Sequence, residues 1–181
     1  YMSGAVEAKE LLKRLNTEKL SRVTEDIYHA GRESRIWVDS EEHGVPFMGS
    51  TDILASDLSY LPLISKKQVT SNPRFTIREG WTLITRSGTV GRMAYARSDM
   101  DGIACSEDVM RVAPDTTKIT PGYLYAYLSS RFGVQIVVSG TYGAIIQHIE
   151  PHHIADLPVP RLGAVEDQAH ELIQGAADLR V

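Results

Sequence analysis

The chain of 181 residues has a single cysteine, Cys105, and no apolar run that approaches the ~18 residues of a membrane span. One cysteine excludes an internal disulfide framework and indicates a reducing, cytoplasmic setting. The first 20 residues mix charged and apolar side chains, which predicts an amphipathic helix and not a signal peptide. Hydrophobic residues make up 43% and charged residues 23% of the chain, so the composition is that of an ordinary globular domain.

Motifs of common enzyme classes are also missing. No Gly-x-Ser-x-Gly segment is present, since Arg86-Ser87-Gly88 lacks the preceding glycine. The Gly-rich cofactor loop and the Asn/Asp-Pro-Pro-aromatic motif of an adenine methyltransferase are absent too. A Glu-x-Lys triplet occurs at Glu7-Ala8-Lys9, but in a predicted helix, whereas a two-carboxylate nuclease needs it on a strand. These absences predict a chain without catalytic residues or a cofactor of its own; a small hydrolase with an unrecognised site is the alternative.

Three histidines in the C-terminal third do not form a metal-binding pattern. His148, His152 and His153 are interrupted by Pro151, which breaks the helix that would place them on one face. No further histidine or cysteine is near them in sequence. We therefore expect no metal site, and we expect His148 to donate to a neighbour or to a phosphate group.

The charge is unevenly distributed. The chain has a net charge of −4, but residues 66–111 carry eight arginines and lysines against five acidic residues, a net charge of +3. The remainder therefore carries −7. A basic middle in an acidic chain fits a protein that touches phosphate with one face, and it also fits a solvated β-hairpin with ordinary surface arginines.

Hydrophobic spacing and turn residues predict one mixed α/β (α+β) domain. An N-terminal helix should end near Asn16, a second helix should span 17–30 because apolar residues recur there at steps of 3 and 4, and a third should begin at Thr120-Pro121 and end at Gly133. Strands are predicted at 35–38, 45–48, 81–85, 92–96, 103–105, 109–113, 136–138, 144–146 and, as a short edge strand, 154–159.

The most informative segment is the connection between the strands predicted at 81–85 and 92–96. It contains Gly88 and Gly91, and glycines let backbone N–H groups come close to a ligand. Arg86 and Arg92 stand on its two shoulders, and arginine presents a rigid fork of donors suited to phosphate oxygens or guanine edges. The segment therefore predicts a DNA-reading loop on an α/β scaffold.

A C-terminal helix is predicted over 165–181. Its apolar residues recur at steps of 4, 3, 4 and 3, the spacing of a short coiled-coil seam. The seam residues are Val165, Ala169, Leu172, Ala176 and Leu179. Gly175 weakens this helix by roughly 1 kcal/mol. The helix either docks on a partner or lies on its own domain.

The order of several segments resembles the target recognition domains of the DNA-specificity (S) subunits of type I-like restriction–modification enzymes. The matching segments are 44–53, 80–92, 121–128, 143–149 and 154–160, followed by 166–168. The resemblance covers about residues 20–175. It implies a twisted, largely antiparallel sheet with flanking helices and a C-terminal amphipathic spacer helix.

The resemblance also implies a function. Such a domain is non-catalytic, binds one half of a bipartite double-stranded DNA target, and holds a methyltransferase that uses S-adenosylmethionine, often with a nuclease or translocase, over the site. A second recognition domain or a homodimer would complete the target. The implied division is 1–19, a helix of unclear role; 20–162, the recognition domain; and 163–181, the spacer helix. The segment before Leu20 and the overall acidity depart from the family.

Two other functions stay open. The chain could be a protein-interaction or inhibitor module derived from such a domain, or the specificity region of a fused restriction–methyltransferase enzyme.

Reading duplex DNA requires side chains presented to base edges from a fixed frame. Besides Arg86 and Arg92, we expect Gln147 to suit adenine and Tyr142 to stack on sugar or line a groove. Residues 65–73 read as a turn-rich stretch that would clamp the DNA backbone. The remaining candidates for short contacts or clamping are Ser50, Thr51, Ser87, Thr89, Lys66, Lys67 and Arg74.

Overall fold

A computed structural model of the chain describes residues 2–139 and 148–181. Predicted contacts Tyr142 and Gln147, and the predicted strand at 144–146, lie outside these residues. The helices are α1 Met2–Leu12, α2 Lys66–Ser71, α3 Pro121–Ser129, α4 Arg131–Ser139, α5 Pro151–Ile154 and α6 Ala164–Asp178. The strands are β1 Thr17–Lys19, β2 Thr24–Tyr28, β3 Trp37–Val38, β4 Gly44–Met48, β5 Leu63–Ser65, β6 Thr82–Thr85, β7 Met93–Tyr95, β8 Ala104–Cys105, β9 Val109–Pro114 and β10 Pro158–Pro160.

A four-stranded antiparallel sheet, in the order β2-β9-β6-β7, forms the centre of the fold. Side chains alternate across β9, as the two-residue period of a strand requires. Met110 and Val112 join the core beneath the helices, while Val109 faces a second core shared with β4 and β7. The central sheet is therefore covered on both faces.

A second sheet, in the order β3-β5-β4-β8, packs on one of those faces. Its pairs are antiparallel except for β4 and β8, which run parallel with Met48 opposite Cys105. A small third ladder joins β1 to β10, antiparallel, with Glu18 opposite Val159. The predicted mixed α/β fold with a largely antiparallel sheet is confirmed.

Helices cover the other face. Buried α1 residues Ala8 and Leu12 share one core with Leu124 and Leu128 of α3 and Ile136 of α4. The N-terminal helix thus packs against the sheet domain, and the predicted division at residues 19 and 162 stays a prediction. Among the described helices, none is long and apolar enough to cross a membrane.

Several predictions from spacing are wrong. Residues 17–30 form β1, a 3-10 turn and β2 instead of a helix. The strands β1 and β2 pair with β10 and β9, and the turn between them buries Leu20 and the adjoining Val23. Residues 136–138 belong to α4. Gly133 does not end a helix there: a Cβ on it would lie 2.2 Å from the Tyr127 carbonyl, so it permits the close crossing of α3 and α4.

Candidate nucleic-acid interface

At one end of the central sheet, across the direction of the strands, the ends of β2, β9 and β6 lie side by side. Tyr28, the last residue of β2, lies opposite Arg111 of β9, and Val109, the first residue of β9, lies opposite Thr85 at the end of β6. The segments that leave or enter these strands therefore emerge side by side. We call the residues 29–36, 86–92, 106–108 and 148–150 the tip edge; the last group joins it through a backbone hydrogen bond from Ile149 N to the Arg86 carbonyl, 3.0 Å.

The predicted hairpin loop, residues 86–92, lies at the centre of this edge and is fixed at its base. The Thr85 hydroxyl donates to the Thr89 carbonyl at 2.5 Å and accepts from Arg92 N at 3.0 Å. Val90 packs against the core beneath the helices. Thr89 and the Arg92 side chain are exposed, and no described residue pairs with the Arg92 guanidinium. The loop is a rigid frame that presents these two side chains outward.

Gly91 provides a test of that rigidity. Its φ of +87° is unfavourable for other residues, and a Cβ would lie 2.6 Å from Val138 Cγ2. We expect Gly91→Ala to lower the free energy of unfolding by about 2–4 kcal/mol, since strain and overpacking add. Gly88→Ala is the matched control: φ is +66° but the space around it is open, so about 1 kcal/mol is expected. Equal losses in urea denaturation would contradict the packing contribution.

Arg86 does not have the outward, DNA-facing position that the sequence predicts. The residue is only 7% exposed, and its guanidinium donates to the carbonyls of Ile149 (3.0 Å) and Glu107 (3.3 Å) and to the Glu150 carboxylate. The structure thus places this guanidinium inside the domain, with each of its three nitrogens donating to a protein acceptor, and not at the surface where a base or phosphate contact is made. Arg86 instead ties the loop to the two neighbouring segments of the tip edge.

Ser87 has a similar inward role. Its hydroxyl donates to Asp108 Oδ1 at 2.6 Å, and the backbone N–H of Arg86 donates to the Asp108 carbonyl at 2.9 Å. The loop base and the turn 106–108 are thereby held together. Of the four loop residues predicted to touch DNA, the structure leaves Thr89 and Arg92 outward, with Arg86 and Ser87 as supports.

The ion pair of Arg86 and Glu150 is extended by a histidine. His29 Nε2 lies 3.4 Å from Glu150 Oε2. Burial, followed by the nearby Arg86 charge, lowers the pKa of His29 below its usual value, despite the opposing effect of Glu150. At neutral pH the imidazole is therefore neutral, and Arg86 is the cation that balances Glu150.

Arg111 was missed by the sequence analysis. It is fully buried, and its guanidinium donates to the carbonyls of Ser106 (2.8 Å), Val109 (2.6 Å), Phe75 (3.0 Å) and Cys105. Burial lowers the pKa of this guanidinium. It closes the backbone around residues 105–109 and so shapes the turn of the tip edge. The sequence does contain a signal for this role: Arg111 lies within the apolar run 109–113, and a charged side chain in a buried strand needs hydrogen-bond partners.

Ser50 and Thr51 follow the strand β4, whose last residue contacts this turn. β4 ends at Met48, whose carbonyl accepts from Ser106 N at 2.9 Å, and both residues follow within three positions. Thr51 is exposed and Ser50 is half-buried. The Thr51 side chain does not cap the 3-10 turn Asp52–Leu54 that follows it, whereas Asp52 Oδ2 accepts from Gly49 N at 2.7 Å.

The predicted clamp at 65–73 has a different structure. The stretch is mostly helix α2, not a series of turns. Lys66 Nζ donates to the carbonyls of Glu41 and Glu42, at 2.9 and 2.7 Å, so it holds a neighbouring turn. Lys67 is exposed, while the Arg74 guanidinium lies 4.2 Å from the centre of the Tyr28 ring. Arg74 thus borders the tip edge, whereas Lys66 is engaged elsewhere.

His148 belongs to the last part of the tip edge, and His153 lies just beyond it in α5. His148 is half-buried beside Ile149, and no described residue hydrogen-bonds its Nδ1. His153 Nδ1 accepts from Glu150 N at 3.0 Å and so helps to start α5. Within residues 2–139 and 148–181 no group of three metal-ligating side chains is found.

The C-terminal helix α6 has two faces. Its inner face lies on the domain: His170 Nδ1 accepts from Gly122 N at 3.1 Å, and Gln174 accepts from the Tyr95 hydroxyl at 2.8 Å. On the outer face the three large seam residues stay exposed: Val165, Leu172 and Leu179. Of the two smaller seam residues, Ala169 is half-buried and Ala176 is exposed. The expectation that this helix lies on its own domain is therefore confirmed for the inner face, while docking of the outer face on a partner stays a prediction.

Comparison with known proteins gives one relative by sequence. The chain is 27% identical over 123 residues to the type I restriction enzyme EcoBI specificity subunit of Escherichia coli, a match that covers 68% of this chain and 25% of that protein. The chain thus spans about a quarter of the length of this curated relative. No protein-family model matches it.

Solved structures share the fold. The HsdS subunit from Thermoanaerobacter tengcongensis aligns with a TM-score of 0.55 at 16% identity, over 99% of this chain and 46% of that one. The type I restriction–modification S subunit from M. genitalium aligns with a TM-score of 0.59 at 10% identity, over 96% of this chain and 42% of that one. The type IIG restriction endonuclease BpuSI aligns with a TM-score of 0.65 at 13% identity, over 97% of this chain and 28% of that one. The resemblance to S-subunit recognition domains seen in the sequence is confirmed.

Proposed function

We propose that this chain is a sequence-specific recognition module for double-stranded DNA that directs a methyltransferase of a restriction–modification system to half of a bipartite site. The observation that carries the proposal is the tip edge, where a loop fixed from beneath holds Arg92 and Thr89 outward. The sequence relative is itself a restriction specificity subunit. The module has no catalytic role in this proposal and acts in the cytoplasm, the compartment that the single cysteine indicates.

The chemistry of base reading supports this role. An arginine discriminates guanine by donating two hydrogen bonds to O6 and N7, and this works only from a frame that fixes the approach. Arg92 has such a frame, because its backbone N–H is bonded to Thr85 and the loop is tied to turn 106–108 and to Glu150. Side chains on a mobile loop would lose more conformational entropy on binding.

The partners belong to the proposal as well. The methyltransferase would carry S-adenosylmethionine, and a nuclease or translocase subunit could join the complex. The exposed outer face of α6 (Val165, Leu172, Leu179) offers an apolar stripe for docking the methyltransferase or a second recognition domain, including that of a second copy of this chain.

A second arrangement has its own support. The structural match to a type IIG restriction endonuclease covers 97% of this chain and 28% of that one. The same module would then be the specificity region of a fused restriction–methyltransferase enzyme. Base reading by the tip edge is common to both arrangements.

The test is selection from random duplexes, with and without the cognate methyltransferase subunit. We expect the chain to enrich a short preferred half-site. Arg92→Ala should weaken binding to that half-site by about 1–3 kcal/mol and relax the preference at one position, since one bidentate contact is lost. Arg180→Ala, an exposed arginine at the end of α6, is the control and should change neither. Unaltered affinity and preference in Arg92→Ala would remove Arg92 from the interface.

A further inference from the structure

The segment 29–36 crosses the tip edge without helix or strand, yet it is held firmly. Gln68 of α2 accepts from Ile36 N at 3.0 Å and donates to the Ser34 carbonyl at 2.8 Å. Asn72, one helical turn later, donates to the Ala30 carbonyl at 3.1 Å. The amide side chains of Gln68, within α2, and of Asn72, just after it, thus add to the backbone hydrogen bond from Ser65 N to the Ile36 carbonyl, 2.8 Å. We call residues 29–36 the strap.

Arg35 fixes the strap from its other side. Its guanidinium lies 4.8 Å from the centre of the Phe47 ring, and Nη2 donates to the Glu107 carboxylate at 2.9 Å. Arg32, three residues earlier, has its Nε 3.9 Å from the same carboxylate, but its side chain is 83% exposed. Arg35 is therefore used in holding the strap, whereas Arg32 is presented to solvent.

Near Arg32 the acidic side chains are either largely buried or engaged with the protein. The Glu107 side chain is 12% exposed, and the Glu107 carbonyl accepts from Arg86, so the strap and the hairpin loop border the same turn. Glu33, the acidic residue of the strap, accepts from Asn72 Nδ2 at 2.6 Å and is thereby directed to α2. On the tip edge the Arg32 and Arg92 side chains are exposed whereas the Glu107 side chain is largely buried, so a polyanion can contact the two cations without contacting Glu107.

We propose that the strap is a second DNA-contacting element, in which Arg32 binds a backbone phosphate and Arg35 positions it. The inference rests on the proposed function and deepens it, because it adds a contact that raises affinity without reading sequence. Phosphate contacts fix the register of a protein on the duplex, while base contacts made by the hairpin loop would set the preference.

The test measures DNA affinity of the full chain as a function of salt, on the preferred duplex and on a scrambled one. Arg32→Ala should weaken binding to both duplexes by the same factor and reduce the slope of log K against log salt by about 1. Arg32→Lys keeps the charge and should restore the slope. Arg180→Ala is the control, since α6 ends near Tyr95, at the opposite end of the sheet from the hairpin loop.

The outcomes separate the two proposals. If the wild-type chain binds DNA with sequence preference but Arg32→Ala keeps the same slope, the strap is not a phosphate contact and the proposed function stands. If Arg32→Ala alters preference at one base position, Arg32 reads a base and the phosphate assignment is overturned. If the wild-type chain shows no salt-dependent binding to any duplex, the proposed function fails first, and the role of the strap fails with it.

Discussion

Replacing Arg86 with alanine should lower the free energy of unfolding by about 2–4 kcal/mol, a loss of stability in place of a loss of base contact. The substitution leaves the carbonyls of Ile149 and Glu107 without this donor and Glu150 without its cation. Breaking a fully buried ion pair costs about 3–5 kcal/mol. The Glu150 side chain is 35% exposed and regains some hydration, which brings the expected loss below that range.

The control for this prediction is an exposed pair. Arg78 lies 3.6 Å from Asp101 with 60% of its side chain exposed, so Arg78→Ala should cost less than about 1 kcal/mol. Both variants are compared with the wild type by urea denaturation, and their DNA preference is measured at a temperature where each is folded. Arg86→Ala with wild-type stability but altered preference would return Arg86 to the interface as a base reader.

Arg86 also shows how much of the candidate site can be predicted from the sequence. The hairpin between β6 and β7 was predicted from its glycines and flanking strands, and it is confirmed. Which arginine turns inward depends on Glu107 and Ile149, which are 21 and 63 residues away in sequence. No local pattern encodes that choice, because it is made by tertiary contacts.

Secondary structure shows the same division between local and distant causes. The start of α3 at Pro121 was predicted correctly because a proline at the first helical position follows from local chemistry. The strand character of β2 was missed, since it comes from pairing with β9, which lies more than 80 residues away. The strap is positioned by contacts with Gln68 and Asn72 on one side and with Phe47 and Glu107 on the other, and no local pattern in 29–36 encodes them.

Replacing Arg111 with methionine should have a still larger effect, a loss of about 3–5 kcal/mol. Substituting a buried ion pair by apolar residues is often neutral, because both charges leave together. The partners of Arg111 are four backbone carbonyls, and no substitution removes them. Methionine has a similar length and would fill the space, so the loss would measure the missing donors rather than a cavity.

Two effects make the loss of unfolding free energy in Arg111→Met smaller, but they do not cancel it. Removing the charge ends the cost of burying it, the same cost that lowers the pKa of Arg111. The Ser106 carbonyl also keeps a second donor, the Val109 N–H at 3.2 Å. A neighbouring substitution in β9, Met110→Leu, conserves volume and removes no donor, so it should cost less than about 1.5 kcal/mol.

The consequence for the tip edge distinguishes Arg111 from an ordinary core residue. Its donors close the backbone around 105–109, and the next turn residue, Asp108, holds the hairpin loop through Ser87 and Arg86 N. Arg111→Met should therefore speed amide hydrogen exchange at Arg86 under conditions where the protein stays folded, and Met110→Leu should not. An unfolding free energy within 1 kcal/mol of wild type, or unchanged exchange at Arg86, would show that the turn is shaped by something other than this buried guanidinium.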